Sequence, residues 1–364
     1  MRIAIVSPSL ELGGAERIVV TLARGLADRG HDVTVASAPG PLGDELSGIQ
    51  RVALVGGGRS PAGNARSVAR LARALRRRPA DVVHAHNTRM TCVAAIAGAL
   101  AAGHRGRPLV ATFHGHKPAE QPLAGHLLRH AARAVVCVSD ELATALARAG
   151  VPAERCSVIH NGVEPARPLG PEQRRALDTA LGLGTGPVVA AVGRLVDQKN
   201  HARFLEAAAA VLSREPAAHF LLVGDGPLRA QLEARADALG IRGNVHFTGA
   251  RPDARALIAR ADLVVFSSDW EGLSVAALEA LAAGTPVVST PVEGMRTLLA
   301  SGAGTLVGSY AAASLADTIT ALLADAPRRH AMAERGRRLV ADSFGVEAML
   351  DAYEACYAAV LEDG

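Results

Sequence analysis

The sequence predicts an α/β protein built from two doubly wound, Rossmann-like domains. Three observations carry that prediction. Short β-branched runs alternate with Ala-, Leu- and Arg-rich segments of helical period along the whole chain. The runs are apolar on both sides, as strands are when crossover helices cover both faces of a parallel sheet. The alternation breaks once, at Glu164–Gly186, where three Pro and four Gly give the composition of a linker, and then starts again. A chain of 364 residues is long enough for two such domains, each with its own core.

In the first half, strands are expected at Arg2–Ser7, Asp32–Ser37, Asp81–Ala85, Pro108–Phe113, Ala134–Val138 and Ser157–Ile159. Each is rich in Val, Ile, Ala or Phe and bounded by polar or turn-forming residues. Helices fall between them near Ala15–Arg29, Ala65–Arg77, Thr88–Ala102 and Asp140–Ala149. In the second half the strands are Pro187–Val192, Ala218–Val223, Asn244–Phe247, Asp262–Phe266, Pro286–Ser289 and Gly304–Val307. Their helices are His201–Ser213, Leu228–Leu239, Ser274–Ala283 and Ala311–Ala324. The expected domains are residues 1–165 and 166–345. Ligands of such sheets bind beyond the carboxyl ends of the strands at the topological switch point. The polar residues just after each strand are therefore the candidates, and two domains in tandem suggest a cleft between them.

Composition narrows the function classes. The chain is 49% hydrophobic and 20% charged, and its Gly and Pro content is too low for a disordered or collagen-like protein. The longest small, apolar run, Cys92–Gly103, has twelve residues, short of the ~20 a membrane span needs. The N-terminus carries one Arg and then Ile3-Ala4-Ile5-Val6 before polar Ser7-Pro8-Ser9, which is not a secretory signal. Cys92, Cys137, Cys156 and Cys356 lie scattered, with no CxxC pair and no zinc-ligand spacing, so reduced thiols in the cytoplasm are expected. A net charge of +4 conceals an asymmetry: residues 1–170 carry 21 Lys and Arg against 12 Asp and Glu, the remainder 18 against 23. A basic first half favours an anionic ligand or a peripheral membrane contact there, although solvated Arg-rich helices such as Arg66–Arg78 read the same way. Nucleic acid is disfavoured, because the aromatic residues that base stacking needs make up only 3% of the chain.

Several common signatures are missing. Gly56-Gly57-Gly58 and Gly224-Asp225-Gly226-Pro227 do not complete a G-x-G-x-x-G, and there is no G-x-x-x-x-G-K-[ST], H-E-x-x-H or G-x-S-x-G. No D-x-D occurs, which removes the commonest carboxylate pair for holding a divalent metal between phosphates; no metal is expected.

The residues that could carry chemistry stand after strands. Gly13 and Gly14, followed by Ala15 and Glu16, open a helix after the first strand. Two Gly there permit close backbone approach and free N–H groups suit an anion, although an ordinary βα loop looks alike. Five of the thirteen His gather at strand ends: His84, His86, His114, His116 and His160. Thr112-Phe113-His114-Gly115 sets an imidazole at the expected cleft edge beside a Gly that leaves room for a ligand. Gly193-Arg194-Leu195-Val196-Asp197-Gln198-Lys199-Asn200 follows the first strand of the second domain. Against 37 Arg the chain keeps two Lys, Lys117 and Lys199, so a compact ammonium is wanted at Lys199. Arg194 and Lys199 can converge on a diphosphate across the βα turn, or be a solvated pair. Glu271 falls in the loop entering a later helix and Glu279 lies inside it, the only residue from Ser274 to Ala283 that is neither apolar nor small. A carboxylate buried there needs partners, either ribose hydroxyls or an Arg. The N–H groups of Gly272, Leu273 and Ser274 at the helix start offer a second anion site.

Taken in order, these motifs resemble those of the GT-B-fold retaining glycosyltransferases of family 4. The resemblance runs through Gly13-Gly14-Ala15-Glu16, Asp81-Val82-Val83-His84-Ala85-His86, Thr112-Phe113-His114-Gly115, Val138-Ser139 and Asn161-Gly162-Val163. It continues with Val192-Gly193-Arg194-Leu195, Lys199-Asn200, Val223-Gly224-Asp225-Gly226-Pro227, Phe247-Thr248-Gly249, Glu271-x7-Glu279 and Ala283-Gly284-Thr285-Pro286-Val287-Val288. The set covers nearly the whole chain, and its order makes it specific where each motif alone is weak.

The resemblance implies roles by position. Arg194 and Lys199 would bind the donor diphosphate, Glu271 a hydroxyl of the donor sugar and Glu279 the ribose. Gly13 and Gly14 would lie under the phosphates and His114 near the sugar. Gly224, Arg251, Gly272, Leu273 and Ser274 would complete the donor pocket. The donor would occupy the second domain and the acceptor the first, with the last helix, about Val346–Leu361, returning to pack on domain one (residues 346–364). One departure stands out: after the Pro-Val-Val strand the family carries Gly-Gly-x-x-Glu, and here the segment reads Glu293-Gly294-Met295-Arg296-Thr297.

Breaking a sugar–phosphate bond builds charge on the diphosphate, which fixed cations and N–H dipoles stabilise without a metal. No carboxylate is placed as a nucleophile, so the expectation is a retaining hexosyltransferase with same-face attack, using a UDP-sugar by the family's commonest habit. Alternatives are a GT-B-fold nucleotide-sugar 2-epimerase, which would release free sugar without an acceptor, and a non-catalytic nucleotide-sugar binding protein. The residues do not name the acceptor; the candidate classes are a small metabolite, a natural product and a lipid carrier. The Ala- and Arg-rich composition points to a high-GC bacterium.

Overall fold

The computed structural model describes all residues except 57–59, 102–105, 116, 167 and 363–364. Gly57, Gly58, Ala102, Gly103 and His116 of the sequence reading thus lie outside the described residues. The chain forms two compact units, one of Met1–Gly162 with Val346–Gly364 and one of Val163–Gly345.

In the first unit the order is β1 (Arg2–Val6), α1 (Gly14–Asp28), β2 (Asp32–Ser37), β3 (Gln50–Ala53), α2 (Pro61–Arg77), β4 (Val82–His86), α3 (Thr88–Leu100), β5 (Leu109–Phe113), α4 (Gln121–Ala131), β6 (Ala134–Cys137), α5 (Asp140–Arg148) and β7 (Cys156–Val158). The sheet is parallel throughout, in the order β3-β2-β1-β4-β5-β6-β7. The strand direction of travel reverses between β1 and β4. With right-handed crossovers, that reversal puts α1 on one face and α2 to α5 side by side on the other. Strands β4 and β5 are buried along their full length, which is why their sequences show no polar–apolar alternation.

The second unit runs through α6 (Pro171–Leu181), β8 (Val188–Val192), α7 (His201–Leu212), β9 (His219–Val223), α8 (Arg229–Ala238), β10 (Val245–Gly249), α9 (Ala254–Arg260), β11 (Leu263–Phe266), α10 (Val275–Ala283), β12 (Val287–Ser289), α11 (Glu293–Leu299), β13 (Gly304–Leu306), α12 (Ala312–Ala324) and α13 (Ala326–Ser343). Its parallel sheet has the order β10-β9-β8-β11-β12-β13, so its switch point lies between β8 and β11. The core under α7 is aromatic and aliphatic, with Phe204 and Phe220 edge to face at 5.8 Å. The chain ends in α14 (Val346–Glu362), which belongs to the first unit and packs on α1.

One expectation is corrected. Glu164–Gly186 is not all linker: it holds α6, an eleven-residue helix with Pro171 in its first turn and Gly182 as a left-handed C-cap at φ 65°. The Pro and Gly that read as a linker are its two ends. Helix α2 also starts earlier than the expected Ala65, because Pro61 sits in its first turn and Ser60 caps it by accepting from the Gly63 N–H.

Candidate active site

The second unit brings its candidates together at the β8/β11 switch point. Lys199 lies at the end of the loop after β8 and Glu271 in the loop after β11. Lys199 Nζ stands 2.5 Å from Glu271 Oε1, with 17% of the lysine side chain and 5% of the glutamate side chain exposed. Ser268 Oγ donates to the same carboxylate oxygen at 2.6 Å, and Thr290 Oγ1 fixes Ser268 by donating to its carbonyl at 2.6 Å. The two loops are laced by further bonds. Ser267 Oγ donates to the Lys199 carbonyl, Gln198 Nε2 to the Trp270 carbonyl, and Arg203 to both the Ser267 carbonyl and Asp269. His201, buried at the start of α7, is held neutral: burial first, then the Lys199 charge, pushes it down to about 4.

Glycines make this close approach possible. Gly224 has φ +146°, and a Cβ there would lie 2.0 Å from the Gly193 carbonyl oxygen, so the loops after β8 and β9 lie backbone to backbone. A Cβ on Gly294 would fall 1.8 Å from the Gly272 carbonyl oxygen. The segment Glu293–Thr297 therefore keeps the glycine whose absence of a side chain seats it on the Glu271–Gly272 turn, while Glu293 is exposed. Gly272 is half-buried, Leu273 and Ser274 are buried, and Ser274 caps α10 by accepting from the Ala277 N–H.

Three expected residues stand differently from the rest. Arg194 is exposed and makes no ion pair among the described residues. Arg251 is committed to a two-pronged pair with Asp253, at 2.7 and 2.6 Å. Glu279 has found an arginine partner, Arg255, whose Nε is 2.7 Å away and whose other arm reaches Glu164. Arg255, Ser268, Thr290 and Arg203 escaped sequence reasoning. Of these, Arg255 alone had a signal, the need of a buried Glu279 for a cation.

In the first unit, Gly13 caps α1 in extended backbone and the Glu16 side chain lies over it, so the helix start meets a carboxylate of its own chain. The histidines at the ends of β4 and β5 form a buried array. His84 spans the Tyr357 hydroxyl and Thr112 Oγ1, each at 2.7 Å, and Thr112 Oγ1 is 2.9 Å from the Tyr353 hydroxyl. His86 Nδ1 is 3.0 Å from His114 Nε2 with the rings stacked. Burial pushes His84 down to about 3 and His114 to about 4, so both are neutral near pH 7. His86 Nε2 is buried without a partner. Orphaned buried N–H groups are rarer than orphaned acceptors, so the His86 proton belongs on Nδ1, donating to His114. His114 then carries its own proton on Nδ1. His160 stands apart, 3.8 Å from Asp140.

Comparison with known proteins agrees with this architecture. The Glycosyltransferase Family 4 pattern matches residues 12–167, and the Glycosyl transferases group 1 pattern matches residues 174–339. The alpha-D-kanosaminyltransferase of Streptomyces kanamyceticus is 31% identical over 272 residues, covering 69% of this chain and 70% of that one. The chain belongs to glycosyltransferase family 4. A second relative of the transferase, the lipopolysaccharide core biosynthesis glycosyltransferase LpsE of Rhizobium meliloti (strain 1021), is 38% identical over 181 residues, about half of each protein. Anabaena Alr3699/HepE, solved in complex with UDP-glucose, superposes with a TM-score of 0.87 at 25% identity, covering 99% of the transferase and 100% of HepE. The fold is GT-B.

Proposed function

We propose that this glycosyltransferase moves a hexosyl group from a uridine diphosphate sugar to an acceptor hydroxyl, with retention at the anomeric carbon and no metal ion. The observation that carries the reading is the Lys199–Glu271 pair at the β8/β11 switch point. An arriving diphosphate takes over the Lys199 ammonium, and Glu271, released from it but still held by Ser268, accepts from a sugar hydroxyl. Arg194, exposed five residues earlier, adds a second cation to the same diphosphate. Cations fixed in place before the reaction stabilise the charge that grows on the leaving group. Glu279, oriented by Arg255, accepts from the ribose. Gly224, Gly272, Leu273 and Ser274 line the phosphates with backbone. Arg251, tied to Asp253, serves the pocket wall.

Neither carboxylate is assigned to attack the sugar: Glu271, held by Ser268, accepts from a sugar hydroxyl, and Glu279 stays paired with Arg255. Attack then comes from the face of the leaving group, with a diphosphate oxygen taking the acceptor proton. The donor occupies the second unit. The first unit takes the acceptor, and Gly13, Gly14 and the neutral His114 are its candidate residues. HepE, with UDP-glucose bound, supports the uridine nucleotide. Relatives named for lipopolysaccharide core biosynthesis and for kanosaminyl transfer support a polyhydroxylated bacterial acceptor, lipid-linked or free.

The test uses water as acceptor, so no acceptor need be known. Slow hydrolysis of UDP-glucose, followed by proton NMR in the presence of EDTA, should release α-glucose before it mutarotates. First-formed β-glucose would refute retention. Activity abolished by EDTA and restored by a divalent ion would refute metal independence.

A further inference from the structure

Among the described residues six large apolar side chains are exposed, and four of them lie on two neighbouring helices of the first unit: Ile96 (53%) and Leu100 (59%) on α3, Leu123 (64%) and Leu127 (37%) on α4. Each pair is spaced four residues apart and so shares one helix face. Helix α3 is apolar or small all round after Thr91, a composition that belongs to a buried helix, yet its outer side also shows Ala99 to solvent. Its neighbour α2 turns Arg66, Arg70, Arg73, Arg76 and Arg77 outward. No Asp or Glu occurs within α2, α3 or α4, although the chain as a whole has 35. Four exposed aliphatic side chains beside an acid-free row of arginines form one face, because α2, α3 and α4 lie side by side on the sheet.

From this juxtaposition we infer that the α2–α3–α4 face docks on an anionic lipid surface, with Ile96, Leu100, Leu123 and Leu127 entering the headgroup boundary and the α2 arginines pairing with lipid phosphates. The inference is independent of the donor and stereochemistry proposed above. Charge chooses the occupant. A second copy of this chain seated face to face would set arginines against arginines with no carboxylate within the three helices to answer them, whereas an acidic bilayer supplies the missing charge over an area as broad as the three helices. No described helix is long and apolar enough to cross a membrane, and α3, thirteen residues long, would lie in the plane of the surface.

The test is co-sedimentation of the full chain with vesicles of phosphatidylcholine alone and with 30 mol % phosphatidylglycerol, at low and high salt. Binding should require the anionic lipid and weaken as salt rises. The triple variant Arg66→Gln/Arg73→Gln/Arg77→Gln should lower partitioning roughly 100-fold, about fivefold per arginine. The variant Ile96→Ser/Leu100→Ser/Leu123→Ser/Leu127→Ser should lower it at least tenfold at an unchanged melting temperature and unchanged hydrolysis of UDP-glucose in solution. Three results would overturn the inference: no partitioning onto anionic vesicles, equal partitioning of wild type and both variants, or a concentration-dependent dimer that the serine variant alone dissolves.

Discussion

The Lys199–Glu271 pair makes a claim that unfolding experiments can weigh. Glu271→Gln keeps the side-chain volume and the Ser268 hydrogen bond but removes the negative charge, leaving the Lys199 ammonium opposite a neutral amide. Removing one partner of a fully buried pair costs about 3–5 kcal/mol, and a charged hydrogen bond contributes about 1.5–3 kcal/mol. With 17% of the Lys199 side chain exposed, water recovers part of that loss, and about 2–3 kcal/mol is expected. In a unit of this size each kcal/mol moves the midpoint by about 2–4 °C, so the shift should be about 5–10 °C. Lys199→Met should cost a similar amount. The double variant should fall well short of the sum, with a coupling of about 1.5–3 kcal/mol. Trp270, the single tryptophan of the chain, adjoins Glu271, so its fluorescence reports the second unit's transition in urea without nucleotide. Additivity within about 0.5 kcal/mol would show that the ammonium and carboxylate do not meet in the ligand-free protein, and the account of how a diphosphate enters would fall with it.

Three other outcomes follow from the same geometry. Gly294→Ala, whose methyl group would sit 1.8 Å from the Gly272 carbonyl oxygen, should cost about 2–4 kcal/mol and most of the activity, while Glu293→Gly at the exposed neighbour should leave the melting temperature within about 1 °C; equal midpoints for the two variants would sink the close-approach argument. Glu279→Gln should weaken UDP binding about tenfold by calorimetry, and unchanged affinity would remove Glu279 from the ribose. Acid should destabilise the first unit, because His84 is held at about 3 when folded against 6.5 unfolded: its contribution is complete above about pH 6.5 and shrinks as pH falls toward the folded value, losing about 2 kcal/mol by pH 5. Circular dichroism melts between pH 7 and 5 check this, and a first-unit midpoint indifferent to pH would contradict it.

Much of the fold is legible because parallel strands buried on both faces are spelled as unbroken apolar runs, as in Val188–Val192 and Leu263–Phe266. The expectation leaves out β3, α4, α6, α9, α11 and α13, and for two of these the reason is plain. Helix α6 buries no residue, so it has no apolar stripe to find, and its Pro171 and Gly182 read as linker. Helix α4 is obscured because Leu123 and Leu127 lie on its outer side. At the site, the loop positions of Lys199 and Glu271 follow from counting past strand ends, but their mutual contact spans 72 residues and no spacing encodes it. The family resemblance points to Arg251, which pairs with Asp253, whereas Arg255, four residues later, reaches Glu279. Ser268 and Thr290 carry no sequence mark, since their importance lies in a hydrogen-bond relay between two loops.

The return of α14 to the first unit has a consequence for synthesis on the ribosome. Tyr353 and Tyr357 close over His84 and Thr112 only after the whole of Val163–Gly345 has been translated. At about 5–20 residues per second that interval is on the order of 10–40 s. During it His84 lacks its Tyr357 partner and Thr112 its Tyr353 partner, while the second unit, contiguous in sequence, can fold and finish ahead of it. The part of the chain made first is therefore the part completed last, and a chain truncated before residue 346 would carry every residue of the second unit attached to a first unit that lacks α14.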